Sequence, residues 1–426
     1  MTALTSGATT SSSLTSDNGA PGGRIKVLHV ITRMIVGGAQ ENTLLSVEGL
    51  DAMDRFEVTL VSGVDNGPEG ELLSRARRTT RLIVIPELGR SISPWADLVA
   101  FWKLYRLIRR ERFQIVHTHS SKAGVLGRLA AYLARTPIIV HTLHSLVFHD
   151  YQPQWVNLSL RLTKRALAPI TDHYISVSRL IAERALAAGI GSPDRFTTIY
   201  SGMELDWFLA SDVDGKRVRA ELGISPHAPV VGKVARLFKL KGHDQLLDAI
   251  PAVVARHPAV RFLLVGDGVL HEHLRSRCDQ LGVAQNVVFA GLIDRERIPE
   301  MLAAMDVLVH TSLREGLARV LPQALAMGRP CVAVELDGAP EVVLPGRTGY
   351  LVRPGDAAGL ADAINHLLDD PQLRDRMGVE GRRLVDPAFR EETMVAQIAD
   401  VYEHLLARPR GIPRFRRRSR PYGVPG

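Results

Sequence analysis

Residues Asp306-Val307-Leu308-Val309-His310 run into Ser312-Leu313-Arg314-Glu315-Gly316-Leu317, and then into Pro322-Gln323-Ala324-Leu325-Ala326-Met327-Gly328-Arg329-Pro330. How this stretch is read decides the fold. The apolar run has the character of a strand buried on both faces, as in parallel sheets. A turn carrying an acid and a glycine follows, and then a short helix. In open α/β sheets ligands sit at that place, outside the carboxyl ends of the strands. Glu315 is therefore read as aimed at a ligand. The alternative is an ordinary acidic residue in a first helical turn, where the helix dipole favours it.

A second segment repeats the pattern upstream: Val230-Val231-Gly232-Lys233-Val234-Ala235-Arg236-Leu237-Phe238-Lys239-Leu240-Lys241-Gly242-His243-Asp244. An apolar strand ends in a basic loop, and Gly242 leads into a helix with Leu246, Leu247 and Ile250 on its apolar face. A helix start offers unpaired amide donors and a partial positive charge. Arg236 and Lys241 add two full charges, and an arginine binds a phosphate through two parallel bonds. The chemistry implied is the cradling of a phosphate or diphosphate; a solvated basic loop is the plainer alternative.

Outward from these segments, strands alternate with helices. Strands are expected over 25–31, 57–62, 82–85, 115–119, 138–142 and 173–177, and the pattern restarts at 230 with strands over 262–265, 287–289, 307–309 and 331–334. Alternation of this kind implies two doubly wound parallel sheets. At 426 residues the chain suits about two domains of the usual ~100–200 residues. We place a disordered extension over 1–23, a first domain over 24–203, a second over 204–387, a helix over 388–406 and a basic tail over 407–426.

Hydrophobic content of 46% and charged content of 23% are those of a globular protein. No apolar run approaches the ~18 residues that span a bilayer. Two cysteines, Cys278 and Cys331, provide no disulfide framework and suit a cytoplasmic enzyme. The net charge of +8 is concentrated in the tail and in an expected helix over 95–112. There Leu98, Phe101, Trp102, Tyr105 and Ile108 alternate with Lys103, Arg106, Arg109 and Arg110. Such a helix suits either packing on a sheet or an anionic membrane surface. Nothing resembles a nucleic-acid recognition motif.

In the first half, Gly37-Gly38 follows the first strand, where glycine lets a ligand approach the backbone. A dinucleotide fingerprint is absent, since its third glycine and its acid are missing. His117 and His119, two apart at a strand end, share one face. That spacing also suits a metal, but no third ligand is evident. His141, His144 and His149 form a second group.

The chain resembles the family-4 (group 1) retaining glycosyltransferases of the GT-B fold. The resemblance rests on Met34-Ile35-Val36-Gly37-Gly38-Ala39-Gln40, His141-Thr142-Leu143-His144-Ser145, Ser201-Gly202-Met203-Glu204 with Phe208, and Phe262-Leu263-Leu264-Val265-Gly266-Asp267-Gly268. Val288-Phe289-Ala290-Gly291 and Gly338-Ala339-Pro340-Glu341-Val342-Val343 with Gly346, Gly349 and Tyr350 complete it. It extends from about residue 25 to about residue 405, and the order and spacing are more specific than any one piece. The resemblance implies two Rossmann-like domains facing a cleft, the first on the acceptor side and the second binding the donor, with the helix over 388–406 returning to the first.

It also implies transfer of a hexosyl-type sugar from a nucleoside diphosphate sugar to a hydroxyl acceptor, with retention and without metal or cofactor. Arg236, Lys241, Glu315 and His144 would be catalytic, His144 through the transferred sugar. Gly37, Gly38, Gly266, Gly291, Gly316, Leu317 and Gln323 would bind the donor. His117, His119 and Lys122 would line the acceptor side. The family carries a second glutamate where this chain has Gln323. An amide accepts a ribose hydroxyl bond but lacks the stronger charge-assisted one. A lipid-linked or saccharide acceptor, in polysaccharide or glycolipid synthesis at the inner face of the membrane, completes the expectation. A sugar-nucleotide epimerase of the same fold and a non-catalytic membrane-surface assembly protein are the rival readings.

Overall fold

A computed structural model of the protein describes residues 23–64, 72–210 and 213–408. The expected extension, except for its last residue, and nearly all of the basic tail lie outside the described residues. Among these residues thirteen parallel strands form two sheets. The first contains β1 (Ile25–Ile31), β2 (Phe56–Ser62), β3 (Arg81–Val84), β4 (Ile115–Thr118), β5 (Ile138–Leu143), β6 (His173–Ser176) and β7 (Phe196–Thr198), in the order β3-β2-β1-β4-β5-β6-β7. The second contains β8 (Val230–Val234), β9 (Arg261–Val265), β10 (Val287–Gly291), β11 (Val307–His310), β12 (Cys331–Val334) and β13 (Gly349–Val352), in the order β10-β9-β8-β11-β12-β13. Each order reverses beside its first strand, between β1 and β4 and between β8 and β11. Those switch points are where such sheets open a crevice.

The central strands are buried on both faces, so side-chain alternation sorts each strand between two cores. In the first sheet Val27, Ile31, Ile115 and Val140 join the core under helix Gly38–Ala52, while Leu28, Val30, Val116 and Ile139 face helices Pro94–Glu111 and Ser121–Leu133. Helix Glu391–Leu406 crosses back to the first sheet and inserts Met394, Val395, Ile398, Tyr402 and Leu405 into the first of these cores. At ~2 kcal/mol per fully buried large apolar side chain, these five residues provide a strong anchor.

Two edge strands escaped the sequence reading. β7 is three residues long and rich in threonine, and β13 opens on a glycine, so each offers only a short apolar signal. Helix Pro94–Glu111 differs from expectation in the face it buries. Ala100, Leu104, Leu107 and Ile108 pack inward, while Trp95, Leu98 and Trp102 are exposed.

Candidate active site

The carboxyl ends of both sheets open onto one cleft of about 1330 Å³ between the lobes. On the second lobe, β8 ends at Val234 and the following loop is pinned by His243, whose Nε2 lies 3.0 Å from the carbonyl of Arg236. Helix His243–Arg256 follows and buries Leu246, Leu247 and Ile250 as the periodicity required. Lys241, at the end of this loop, forms an ion pair with Glu315, which lies in the loop after β11. Glu315 precedes helix Val320–Ala326 rather than lying in its first turn. Its amide donates to Asp337 Oδ2 at 2.6 Å, fixing the direction of the loop.

The Glu315 carboxyl is held below the ordinary carboxylate range. Burial pushes the other way, but the Lys241 charge, His310 and hydrogen bonds outweigh it. Beneath the pair lies Lys233, fully buried, donating to the Lys241 carbonyl at 2.9 Å and to Thr311 Oγ1 at 2.6 Å. Burial and the nearby Lys241 lower its ammonium to about 7. Arg236 lines the cleft with its guanidinium 5.1 Å from the centre of the Phe238 ring. The bend behind Arg236 requires glycine at 266: its φ is 131°, its amide donates to the Gly291 carbonyl at 2.8 Å, and a Cβ would lie 2.2 Å from the Ala235 carbonyl oxygen.

On the first lobe, Gly37 caps helix Gly38–Ala52, and Gly37 and Gly38 both line the cleft. Glu41, in the first turn of that helix, pairs with Arg319 of the second lobe at 3.1 Å and with Arg295 at 3.5 Å. Arg184 reaches Asp337 at 2.6 Å, and Glu341 accepts from the amides of Arg179 and Leu180 at 3.0 and 3.1 Å. The lobes approach closely at Gly316, where a Cβ would stand 1.9 Å from the His144 carbonyl oxygen. Glu315 and His144 are thereby brought to the same place from opposite lobes.

Two family models match the chain, Glycosyltransferase Family 4 over residues 36–207 and Glycosyl transferases group 1 over residues 214–384. A GDP-mannose-dependent alpha-(1-6)-phosphatidylinositol monomannoside mannosyltransferase of Mycolicibacterium smegmatis is 32% identical over 287 residues, which is 65% of this chain and 73% of that protein. The chain belongs to the group 1 glycosyltransferases. An Escherichia coli UDP-Gal:alpha-D-GlcNAc-diphosphoundecaprenol alpha-1,3-galactosyltransferase is 28% identical over 382 residues, covering 89% of this chain and 97% of its own. The crystal structure of Anabaena HepE in complex with UDP and glucose matches with a TM-score of 0.76 at 25% identity, over 89% of this chain and all of that one. The fold is GT-B.

In this glycosyltransferase the cleft gathers Arg236, Lys241, Glu315 and His144, together with Gly37, Gly38, Gly266, Gly316, Leu317 and Gln323. Gly291 stands one layer back, supporting Gly266 through the bond already described. Three residues expected at the acceptor side lie elsewhere. His117 and His119 are buried in the first sheet, 0% and 1% exposed, because their side of β4 is covered by helix Glu391–Leu406. Lys122 is paired with Asp97 and donates to the Ser91 carbonyl at 2.6 Å. The histidines of the second group also separate. His141 faces the opposite side of β5 from His144 and contacts Thr118 and Lys164, while His149 sits in a loop beside Asn157 and Tyr151.

Sequence reasoning passed over Lys233, although a lysine inside an apolar parallel strand breaks the pattern and is a readable signal. Asp337, Glu41 and Arg319 had none, since each acts across a gap between lobes. His29, the partner of His117 across β1 and β4, was also missed. Nitrogens of His29, His117 and His119 lie within 4.8 Å of one another. They supply the third neighbour that spacing alone did not reveal.

Proposed function

We propose that this glycosyltransferase moves a hexosyl residue from a nucleoside diphosphate sugar to a hydroxyl of a lipid-linked or saccharide acceptor, retaining the anomeric configuration and needing no metal. The observation that carries the reading is the Lys241–Glu315 pair, set beside Arg236 on one lobe and meeting His144 from the other at Gly316. Cleavage of the anomeric bond leaves negative charge on the diphosphate, and Arg236 and Lys241 are the groups to stabilise it. Fixed cations in a cleft do this work without reorganisation, which supports metal independence. Glu315 and His144 hold the sugar hydroxyls so that the anomeric carbon faces the acceptor. The departing phosphate oxygen takes the acceptor proton, so no protein base is assigned.

Relatives named for UDP-galactose and for GDP-mannose make UDP and GDP the bases to compare. A lipid-linked acceptor is supported by those names and by the outer face of the first lobe. There Trp95, Leu98 and Trp102 on helix Pro94–Glu111, with Trp155, Leu158 and Leu162 on helix Gln154–Leu167, are exposed. Among the described residues no helix is long and apolar enough to cross a membrane. Exposed aromatic residues beside Lys103, Arg106, Arg109 and Arg161 suit contact with an anionic surface instead.

The test is calorimetric binding of UDP and GDP in EDTA to the protein and to Arg236→Ala, followed by assay of the matching sugar donors. Product linkage is read from the anomeric proton coupling. Selective binding lost in the variant, with an α-donor giving an α-product in EDTA, supports the reading. Inversion, or turnover only with added metal, defeats it. A donor consumed without acceptor and converted to its epimer would favour the epimerase.

A further inference from the structure

Behind His144 lies an unbroken file of hydrogen bonds. His144 Nε2 is 3.1 Å from His119 Nδ1, and His119 Nε2 is 3.0 Å from His29 Nδ1. His29 Nε2 is 3.1 Å from the Tyr402 hydroxyl, which is 2.6 Å from His117 Nδ1. His117 Nε2 ends the file 2.7 Å from Thr142 Oγ1. Strand alternation builds it. His29, His117, His119, Thr142 and His144 all project from the face of the first sheet that helix Glu391–Leu406 covers, and Tyr402 of that helix closes the gap between β1 and β4.

His29, His117 and His119 each use both ring nitrogens, His144 uses Nε2 alone, and burial keeps the rings neutral. It lowers His29 to about 3 and His144 to about 4, and pushes His117 and His119 well below their usual value. It raises Tyr402 well above its own. A neutral imidazole has one donor and one acceptor, so all the bonds must run in one direction. Thr142 decides which. Its buried hydroxyl has a single partner among the described residues, His117 Nε2. If the file ran from His144 toward Thr142, that hydroxyl hydrogen would be left unpaired in the interior, a costly arrangement. Run the other way, every buried donor of the file is used and the one left over, on His144, faces the cleft.

We infer that Thr142, His117, Tyr402, His29 and His119 form a relay that fixes His144 as the tautomer protonated on Nδ1. In this form His144 Nε2 accepts from His119, and Nδ1–H, which has no partner among the described residues, is the donor left for the cleft. The five are positioning residues. Their bearing on catalysis rests on the reading above of His144 as a contact to the transferred sugar: a Nδ1–H donates to a sugar hydroxyl oxygen, whereas a bare Nδ1 would only accept. The relay also ties the cleft to the far end of the chain, since Tyr402 lies 373 positions from His29.

The test is long-range proton–nitrogen correlation NMR on the full chain labelled with 15N-histidine and free of ligand, with each ring assigned by single substitution. The expected spectrum gives His144 a protonated Nδ1 and a bare Nε2. Thr142→Val keeps the shape but removes the first donor, and Tyr402→Phe cuts the relay at its middle. Both should move the two His144 nitrogen shifts toward each other, while Thr142→Ser should restore the wild-type values. With the tautomers near equal, kcat/KM for the donor falls roughly twofold, following the competent fraction, and the acceptor KM holds.

A wild-type His144 protonated on Nε2, or one unchanged by Thr142→Val, overturns the proposal. So does a stoichiometric metal in the purified protein that disappears in His29→Ala, because a metal would take the lone pairs the relay uses. The tautomer is read without turnover. If it is as stated while no sugar donor reacts, the relay stands and the reading of His144 as a sugar contact falls.

Discussion

The two sheets turn the same end toward the cleft, but the side chains bedded behind its two walls differ in chemistry. Under the first sheet's contribution lies a bed of neutral histidines, His29, His117 and His119, hydrogen-bonded to one another and to Tyr402. The second carries an ion pair, Lys241 with Glu315, with Arg236 alongside and Lys233 buried beneath. A lobe that meets a diphosphate needs fixed charge, which tolerates partial burial only when paired. A lobe that orients hydroxyl groups needs donors of defined direction, and a neutral imidazole held at one nitrogen by such a bed presents the other in a defined role. The same architecture therefore supports two kinds of wall.

The difference can be broken most forcefully by acid. Among the described residues eight histidines of the first lobe and of the helix packed on it, His29, His117, His119, His141, His144, His149, His173 and His404, are lowered by burial, against His243 and His310 in the second. A group held neutral in the fold, with an ordinary value of 6.5, contributes its full stability above that pH and loses it as pH falls toward the folded value near 3 to 4. Each such group costs up to ~1.4 kcal/mol per pH unit over that interval. The melting temperature should fall steeply from pH 6.5 to 4.5. Hydrogen exchange should show the first lobe losing protection before the second; the reverse order would mean that the histidine bed is not the weak point.

Charge on the other wall is tested by Glu315→Gln, which keeps the shape and removes the counter-charge of Lys241. A fall in kcat of about a hundredfold is expected, equivalent to ~3 kcal/mol of lost transition-state stabilisation. A variant within threefold of wild type would remove Glu315 from the catalytic group. Gly316→Ala addresses the contact between the walls, because its Cβ would collide with the His144 carbonyl. Separation of the lobes should cost roughly tenfold or more in kcat/KM, as misplacement of about 1 Å does. Unchanged kinetics would indicate that the lobes work further apart than they stand here.

Lys233 sharpens the comparison from the alkaline side. Its folded value of about 7 lies below the ordinary 10.5, so the unfolded chain binds the extra proton and stability rises as pH climbs from about 7 to 10.5. Lys233→Met should flatten that rise in urea titrations at pH 7 and 9; an equal slope in both proteins would refute the buried neutral lysine. The smallest effect belongs to Gln323→Glu. A charge-assisted bond in place of a neutral one adds about 1 kcal/mol, or roughly fivefold tighter nucleotide binding by calorimetry. Weaker binding would show that the amide suits this cleft better.

The apolar runs around 230 and 307, with the glycines and charges after them, announced two parallel sheets and a cleft at their carboxyl ends, because burial on both faces leaves a local and periodic trace. Glu315, Lys241 and Arg236 were legible for the same reason, as charged residues stationed where such strands end. The sequence did not reveal which residues meet. His117 and His119 showed a shared face, but their burial was decided by a helix that begins at Glu391. Glu41 with Arg319, Asp337 with Arg184 and Tyr402 with His29 join positions between 153 and 373 residues apart. Spacing along a chain records which side of an element a residue occupies. Only the packing of one element on another determines what it faces, and here that packing beds neutral histidines behind one wall and sets the Lys241–Glu315 pair in the other.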